Sequence, residues 1–505
     1  MQAIIDGLSM LTPELLAWML AGIVICQVVV IIPGLSAQLL LALILPFLYT
    51  MDQSAAIGLL VGAAATSGTG NTITAVLFGV PGNAAGVATL FDGHPMARRG
   101  EASRAILAGL ISSAIGGIIG AAILALLIPF AKPISVAVGP PELFALALVS
   151  LVFLAFLGEG SVMKGLIAGG LGLLLAFIGQ ESSGGVLRYT FGQLALWDGI
   201  SIATFAIGIF GIAEMLELIA RGGAIASGEH AVYRRHRITD SFRDIAHSWR
   251  TVLQSSVVGT VIGILPGIGG SASQFLAYSL AKKTSRHGRQ FGKGRIEGVI
   301  AADASVNATD SAALAPSLGL GIPGSPIAAL LLAGLVIIGI RPGPDLLNDN
   351  MGFLWLVILI LVMSNVVAVA LCIGAVKPLA KLTFVPSVYL VPIIIALALF
   401  GVVEADDSFA SVPIALGLGV FGYLMKLHGY SRATMIIGFV LADLLERNYL
   451  LATNIHGYGF LLLPLPLTIV AVPLALIVIA TFWGKARQRN RGHQERESDY
   501  ATHQR

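Results

Sequence analysis

Apolar residues run for 15 to 25 positions at a time along most of this 505-residue chain, interrupted by short polar or Gly/Pro-rich stretches. A run of that length crosses about 30 Å of hydrocarbon as a helix. Candidate segments fall near 15–32, 36–50, 55–80, 104–130, 142–157, 161–180, 200–220, 251–280, 298–320, 325–340, 352–376, 387–403, 410–426, 431–445 and 459–483. Several are too short, or too broken by Gly and Pro, to cross alone. The pattern therefore predicts an all-α polytopic membrane protein with about 11–13 transmembrane helices and broken or re-entrant pieces among them. A polar, Arg-rich linker at 221–250 separates a first half, 1–220, from a second, 251–484, and a polar tail follows at 485–505.

Composition sharpens this picture. Hydrophobic residues make up 56% of the chain and charged residues 11%, against about 25% charged in soluble proteins. A water-facing surface cannot be built from so little charge. Of the 57 charged residues, 24 lie in 228–250, 282–297 and 485–505. The net charge of +3 thus resides in loops and tail, and no basic face with aromatic stacking groups offers itself to nucleic acid. Cys26 and Cys372 both stand inside apolar runs and are expected to be buried structural thiols. No Lys or Arg precedes Arg98, so a cleavable signal peptide is not expected, and Leu15–Ile32 reads as a retained first span.

The two halves echo each other. Ile32-Pro33-Gly34-Leu35-Ser36 in the first corresponds to Leu265-Pro266-Gly267-Ile268-Gly269 in the second, and Phe78-Gly79-Val80-Pro81-Gly82 to Leu320-Gly321-Ile322-Pro323-Gly324. Each second motif precedes what reads as a Gly/Pro-rich turn, Phe91–Pro95 or Arg341–Asp345. The stretch between the Pro-Gly pairs has no Lys or Arg in the first half, where Arg98, Arg99 and Arg104 come later; in the second half Lys282, Lys283, Arg286, Arg289, Lys293 and Arg295 fall between the pairs. Lys and Arg prefer the cytoplasmic side, so the repeats are expected to be inverted, with the linker and the tail inside.

Pro-Gly pairs break membrane helices, and the freed backbone groups must be buried in protein or line a wet cavity. A broken helix presents its N-terminus to an anion and loose carbonyls to a cation. Pro33, Gly34, Pro266 and Gly267 are the expected helix breaks. Near the second pair of motifs, residues 66–74 are dense in hydroxyls around Asn71, and Asp303, Asn307 and Asp310 follow helical spacing at i, i+4 and i+7. A carboxylate at membrane depth marks function by default. The expected substrate contacts are Gly70, Asn71, Thr72, Pro81, Gly82, Asn307, Thr309, Pro323, Gly324 and Ser325. Asp303, Asn307 and Asp310 are the expected coupling-ion ligands, for a proton or Na⁺. Asp92 is read as capping the turn around Gly93 and Pro95, and Glu446 with Arg447 as an interfacial pair. The nine histidines show no ligand spacing, so no metal site beyond Na⁺ and no cofactor is expected.

These motifs resemble the large membrane subunit of the tripartite tricarboxylate transporters, the TctA family. The resemblance rests on Pro33-Gly34, Pro81-Gly82, Thr89–Gly100, Leu265–Gly269, Phe291-Gly292-Lys293-Gly294, Glu297-Gly298-Val299, Gly321–Ser325, Arg341–Pro344, Phe421-Gly422-Tyr423 and Leu445-Glu446-Arg447, and runs from about residue 15 to 480. Two departures stand out: Thr69-Gly70-Asn71-Thr72 where the family shows Tyr-Gly-Gly-Ser, and Asp303 with Val306-Asn307-Ala308 where it shows Glu followed by Asn-Asn-Ala. The resemblance implies secondary active uptake of a carboxylate in a bacterial inner membrane. It also implies a periplasmic solute-binding protein and a small membrane subunit as partners, and Na⁺ or H⁺ as the driving ion. The competing readings are a membrane-embedded enzyme using Asp303 and Asp310 as acid and base, and an ion channel.

Overall fold

In a computed structural model of the chain, residues 2–32, 34–79, 86–157, 161–181, 185–221, 238–265, 269–382, 387–472 and 475 are described. Pro33, Pro81, Gly82, Pro266, Gly267 and the tail at 485–505 lie outside the described residues.

The chain opens with α1 (Gln2–Ser9) and α2 (Pro13–Ile31). Thr12 starts α2 because its hydroxyl accepts from the Leu15 amide, and Pro13 fits the first helical position. Then come α3 (Ala37–Ile44), α4 (Gln53–Ala65), α5 (Asn71–Phe78), α6 (Val87–Arg98) and α7 (Ala102–Ala137). The first half continues with α8 (Pro140–Leu157), α9 (Val162–Ala176) and α10 (Ile202–Ala206), which passes through a π-helical stretch, Ile207–Ile212, into α11 (Ala213–Arg221). Strands β1 (Gly179–Gln180) and β2 (Leu187–Arg188) pair antiparallel and are the only sheet among the described residues.

The second half holds α12 (Ile238–His247), α13 (Trp249–Ile264), α14 (Gly269–Thr284), α15 (Ile296–Ala312), α16 (Leu314–Leu320) and α17 (Pro326–Ile337). It ends with α18 (Pro344–Asp349), α19 (Met351–Leu382), α20 (Ser387–Asp406), α21 (Ser411–Leu427) and α22 (Arg432–His456).

The chain is an all-helical membrane protein. Five helical runs among the described residues are long and apolar enough to cross a bilayer: Pro13–Ile31, Ala102–Pro129, Ile202–Ala220, Met351–Val376 and Val388–Asp406. Shorter apolar helices, such as Gln53–Ala65 and Pro326–Ile337, accompany them. Its core is apolar, but large apolar side chains also cover exposed helix faces. Exposed positions on α20 are Val388, Tyr389, Ile393, Leu397 and Phe400, while Gln27, Asn71, Asp92, Gln274, Asp303, Asn307 and Asn365 are buried. Lipid solvates the former, and only protein partners can satisfy the latter.

Three expectations need correction. The stretch Phe91–Pro95 is not a turn but lies inside α6, with Pro95 in the helix. The region 221–250 is not wholly a linker, because α12 forms within it; Arg104 grips Asp244 of α12 through Nε and Nη2 at 2.7 and 2.8 Å. Glu446 pairs with Arg188 of β2 at 2.7 Å instead of with Arg447, because a helix turns neighbouring residues 100° apart.

Helix order runs similarly after the two Pro-Gly motifs. Short helices α5 and α16 both end on a left-handed glycine, Gly79 (φ +64°) and Gly321 (φ +72°), two residues before the Pro-Gly pair of the second motif in each half. Helix α2 crosses α4 at Gly22, Gly58 and Gly62, and α13 crosses α15 at Gly259 and Gly263, so that backbones touch.

The long helix α7 packs along α15. A Cβ at Gly116 would lie 2.0 Å from the Ala304 carbonyl oxygen, and one at Gly120 would lie 2.7 Å from that of Ala308. Backbone atoms cannot rotate aside, so Gly116→Ala must push the two helices apart. It is expected to destabilise the protein by about 1–3 kcal/mol, read from thermal unfolding in detergent. Gly170→Ala, at a position with nothing within 4 Å, should leave the transition unmoved.

Candidate functional site

Helix α4 ends at Ala65 and α5 begins at Asn71, and residues 66–70 make an irregular turn between them. Hydroxyl and glycine residues favour such a break because they compete with, or fail to support, helical backbone. The turn is buried: Thr66, Ser67 and Thr69 have essentially no solvent exposure. Its groups are met by polar side chains from two other helices, α2 and α15, with α19 supporting the second. Gln27 of α2 donates to the Thr66 carbonyl at 2.9 Å. Asn307 of α15 donates to Thr69 Oγ1 at 3.0 Å and to Asn365 Oδ1 of α19 at 2.7 Å. Ser67 donates to Asp310 Oδ2 at 3.3 Å. Helix α15 can approach so closely because residue 68 is glycine: a Cβ there would stand 2.7 Å from Asn307 Oδ1 and 3.5 Å from Asp310 Oδ2.

The two polar segments singled out in the sequence therefore meet across the halves. Gly70 rests on Gln27 and Ile31. Asn71 is buried, and neither its amide nitrogen nor its oxygen has a hydrogen-bond partner among the described residues. Asn307 Oδ1 and Asp303 Oδ2 are in the same state. Buried polar atoms without protein partners cost about 1–3 kcal/mol each and call for a compensating group. Asp310 also lines a small cavity with Ser325, Ala64, Ala65 and Leu314. Its volume is about 10 Å³, on the scale of one water or one small bare cation. Ser325 otherwise caps α17 by accepting from the Ala328 amide at 3.2 Å. Pro323 and Gly324 are buried beside it, the Gly324 amide donating to Ser317 at 3.4 Å.

Asp303 belongs to a different cluster. Thr89 of α6 donates to its Oδ1 at 2.7 Å, and Gln274 of α14 donates to Thr89 at 3.2 Å. Its other oxygen and the Thr72 methyl both press on Gly109, where a Cβ would lie 2.2 Å from Asp303 Oδ2 and 2.6 Å from Thr72 Cγ2. Seven residues of helix separate Asp303 from Asp310 by about 10 Å, and each bonds its own hydroxyl. A shared acid–base dyad needs the two within hydrogen-bond reach of one reacting group. Thr309 also faces away from the 66–72 turn: its hydroxyl contacts the carbonyls of Gly259 and Ser305 and the Ser273 hydroxyl, at 2.7–3.0 Å. It joins α13, α14 and α15, and is not brought to the predicted substrate group. Gly34 follows α2 with φ +90°, and Ser36, two residues on, donates to Glu214 of α11 at 2.7 Å.

Asp92 does cap backbone, but not its own. Its Oδ1 accepts from the amides of Gly292, Gly294 and Arg295 at 2.9, 2.8 and 2.7 Å, and Tyr278 donates to Oδ2 at 2.8 Å. The Asp-Gly-x-Pro block of the first half thus anchors the Phe-Gly-Lys-Gly block of the second in a nest of N–H groups. Beside it, burial raises the affinity of Glu297 for a proton, but hydrogen bonds from Ser285 and Arg295 prevail, leaving its carboxyl below the ordinary range.

The residues that sequence reasoning missed are Gln27, Gln274, Ser273 and Asn365. Gln27 stands alone in an apolar run, Asn365 follows only Ser364, and Ser273 and Gln274 follow only Ser271; polar residues so sparse in apolar sequence were the available signal. Asn365→Ala leaves the Asn307 amide with Thr69 alone and should cost about 1–3 kcal/mol of stability, measured by chemical denaturation in detergent. An unchanged midpoint would show that the Asn307 contact is not maintained.

Residues 16–437 match the family described as Tripartite tricarboxylate transporter TctA family. The chain is also similar to an uncharacterized 52.8 kDa protein in the TAR-I ttuC' 3' region of Agrobacterium vitis, 31% identical over 453 residues, covering 89% of this chain and 90% of that protein. A second Agrobacterium vitis protein, uncharacterized and in the TAR-II ttuC' 3' region, is 32% identical over 190 residues, 38% of this chain and 78% of its own length. No solved structure matches the chain.

Proposed function

Because this chain belongs to the TctA family of tripartite tricarboxylate transporters, we propose that it imports a di- or tricarboxylate-type organic anion by secondary active transport, driven by a Na⁺ or H⁺ gradient. Its partners in this reading are a periplasmic solute-binding protein and a small membrane subunit in a bacterial inner membrane. The observation that carries the reading is the meeting of the broken α4–α5 segment with the polar face of α15, where Asn71 and Asn307 keep buried polar atoms free of protein partners. Asn71 at the start of α5 lies where a helix end favours an anion. One exposed helix end contributes only about 0.3–1 kcal/mol, so the carboxylate is held jointly by that end, by the hydroxyls of 66–72 and by a cation.

The cation belongs at Asp310. Its carboxylate, the Ser67 hydroxyl and Asn307 Oδ1 form an all-oxygen donor set, the chemistry a hard cation such as Na⁺ requires. The same carboxylate can carry a proton instead. Substrate and ion then stabilise the occluded state together, and movement of one half against the other, the halves being inverted, gives alternating access.

The experiment is uptake of a labelled carboxylate panel into proteoliposomes holding this chain and its small partner, with and without the binding protein, under an imposed Na⁺ or H⁺ gradient. Accumulation that needs the binding protein and one of the gradients is the expected result. Gradient-independent equilibration of an anion would argue for a channel, and turnover of lipid or peptide by the purified chain for an enzyme.

A further inference from the structure

Helix α14 has two distinct faces over its last three turns. Ser273, Gln274, Ala277, Tyr278 and Ala281 are buried, whereas Phe275, Leu276, Ser279, Lys282 and Lys283 are exposed. On the exposed face, Phe275 is followed by Lys282, and Leu276 by Lys283, seven residues and so about 10 Å further along the axis. Apolar side chains exposed on a membrane protein face acyl chains, and cations one and a half to two turns beyond them stand at headgroup depth. The neighbouring helix fixes that depth independently. Thr284 donates to Gln254 of α13 at 3.1 Å. Trp249, at the start of that helix, is 55% exposed, as expected of an interfacial anchor.

Beyond α14 the chain folds back and closes an open cleft of about 1020 Å³, walled by Phe91, Phe275, Lys282, Lys283, Arg286 and Arg289. All four cations are exposed, and none is engaged in an ion pair among the described residues. The neighbouring carboxylates are already taken: Glu297 is held by Arg295 at 2.7 Å and by the Ser285 hydroxyl, and Asp92 by Tyr278 and three backbone amides. Four unneutralised positive charges around a cleft whose lower wall is aromatic present the two chemistries of one amphipathic anion.

We propose that this cleft binds the phosphodiester headgroup of an anionic phospholipid, with Lys282, Lys283, Arg286 and Arg289 around the phosphate and the acyl chains lying on Phe275, Leu276 and Phe91. The loop that would sense the lipid is the one Asp92 clamps through Gly292, Gly294 and Arg295, so the headgroup and the α6–α14–α15 junction share one rigid piece. The inference is independent of what the protein transports.

Native mass spectrometry of the full-length protein, titrated in detergent with equimolar phosphatidylglycerol and phosphatidylcholine of matched chains, tests it. Wild type should bind phosphatidylglycerol preferentially. The K282Q/K283Q/R286Q/R289Q variant should lose at least about tenfold of that preference, whereas the charge-preserving K282R/K283R/R286K/R289K variant should keep it. If the fourfold variant does not fold, R286Q/R289Q, confined to the exposed loop, should still lower the preference at least about threefold. Equal occupancy by the two lipids in wild type, or a preference unchanged by R286Q/R289Q, overturns the proposal. Displacement of phosphatidylglycerol by millimolar inorganic phosphate or citrate at constant ionic strength overturns it too, and reassigns the cleft to a soluble anion.

Discussion

Replacing Asp310 by Asn should lower gradient-driven uptake by about 100-fold or more while the protein remains folded. The expectation follows from what Asp310 touches. Among the described residues its carboxylate has one hydroxyl partner, Ser67 at 3.3 Å, and faces the small cavity it shares with Ser325. A half-buried carboxylate with so few donors is poorly compensated by the protein, so a fold selected for stability alone would not keep it. A cation supplies the missing compensation. Even the loss of a group that only supports a metal ligand weakens binding by about 10–100-fold, and removal of the charged ligand itself should fall at the upper end or beyond. Asn keeps the shape and the acceptor for Ser67 but can neither balance Na⁺ nor carry a proton. Its unfolding midpoint should equal or exceed that of wild type, because an uncompensated charge has been taken out of the interior. Uptake by D310N comparable to wild type would remove Asp310 from the coupling site.

The second large effect is structural. Asp92→Ala should destabilise the protein by several kcal/mol, about 1–3 kcal/mol for each buried donor left without its acceptor. Asp92 is 0% exposed, and its loss leaves the amides of Gly292, Gly294 and Arg295 and the Tyr278 hydroxyl without their acceptor. Asp92→Asn retains an oxygen for the three amides, and the Tyr278 hydroxyl can reverse to accept from the new amide, so its loss should be clearly smaller. Thermal unfolding in detergent gives the ranking, and limited proteolysis within 285–295 should accelerate in the Ala variant first. An Ala variant as stable and as protease-resistant as wild type would show that the two blocks are not joined in this way.

How much of this was legible in the sequence follows from the range of the interactions. Helical runs and their apolar character are local properties, set by residues within a turn or two of each other, and the segments at 15–32, 352–376 and 387–403 correspond to real helices. The Gly/hydroxyl run at 66–70 was readable as a polar cluster but not as a break, because it fell inside the apolar segment 55–80. Its partner was readable by spacing alone, because Asp303, Asn307 and Asp310 recur at helical intervals. What spacing could not give was which neighbour each of them meets. Thr309 turned to Ser273 and Gly259, and Asp303 to Thr89, since a helix surrounded on all sides by others distributes adjacent residues among several partners. The Asp92 cap was misplaced because an Asp beside Gly and Pro satisfies the local rule for a turn, while the amides it actually holds are 200 residues away. Gln27 and Asn365 escaped notice because a single amide in a helix carries no periodicity. Only the burial of the turn they serve explains them.

The most direct test of the central claim, that the α4–α5 turn facing α15 is where substrate and ion are held, is protection of a thiol placed in that turn. Ser67→Cys, made in a chain whose buried Cys26 and Cys372 are replaced by Ala, would be reacted with a small charged thiosulfonate in proteoliposomes containing the small subunit. Ser67 is closed to solvent in the structure, so alternating access predicts labelling in the absence of substrate through the open states, and slowing when the transported carboxylate and its driving ion are present together and hold the occluded state. Labelling at the same rate with and without them, in vesicles that demonstrably transport, would place the site elsewhere.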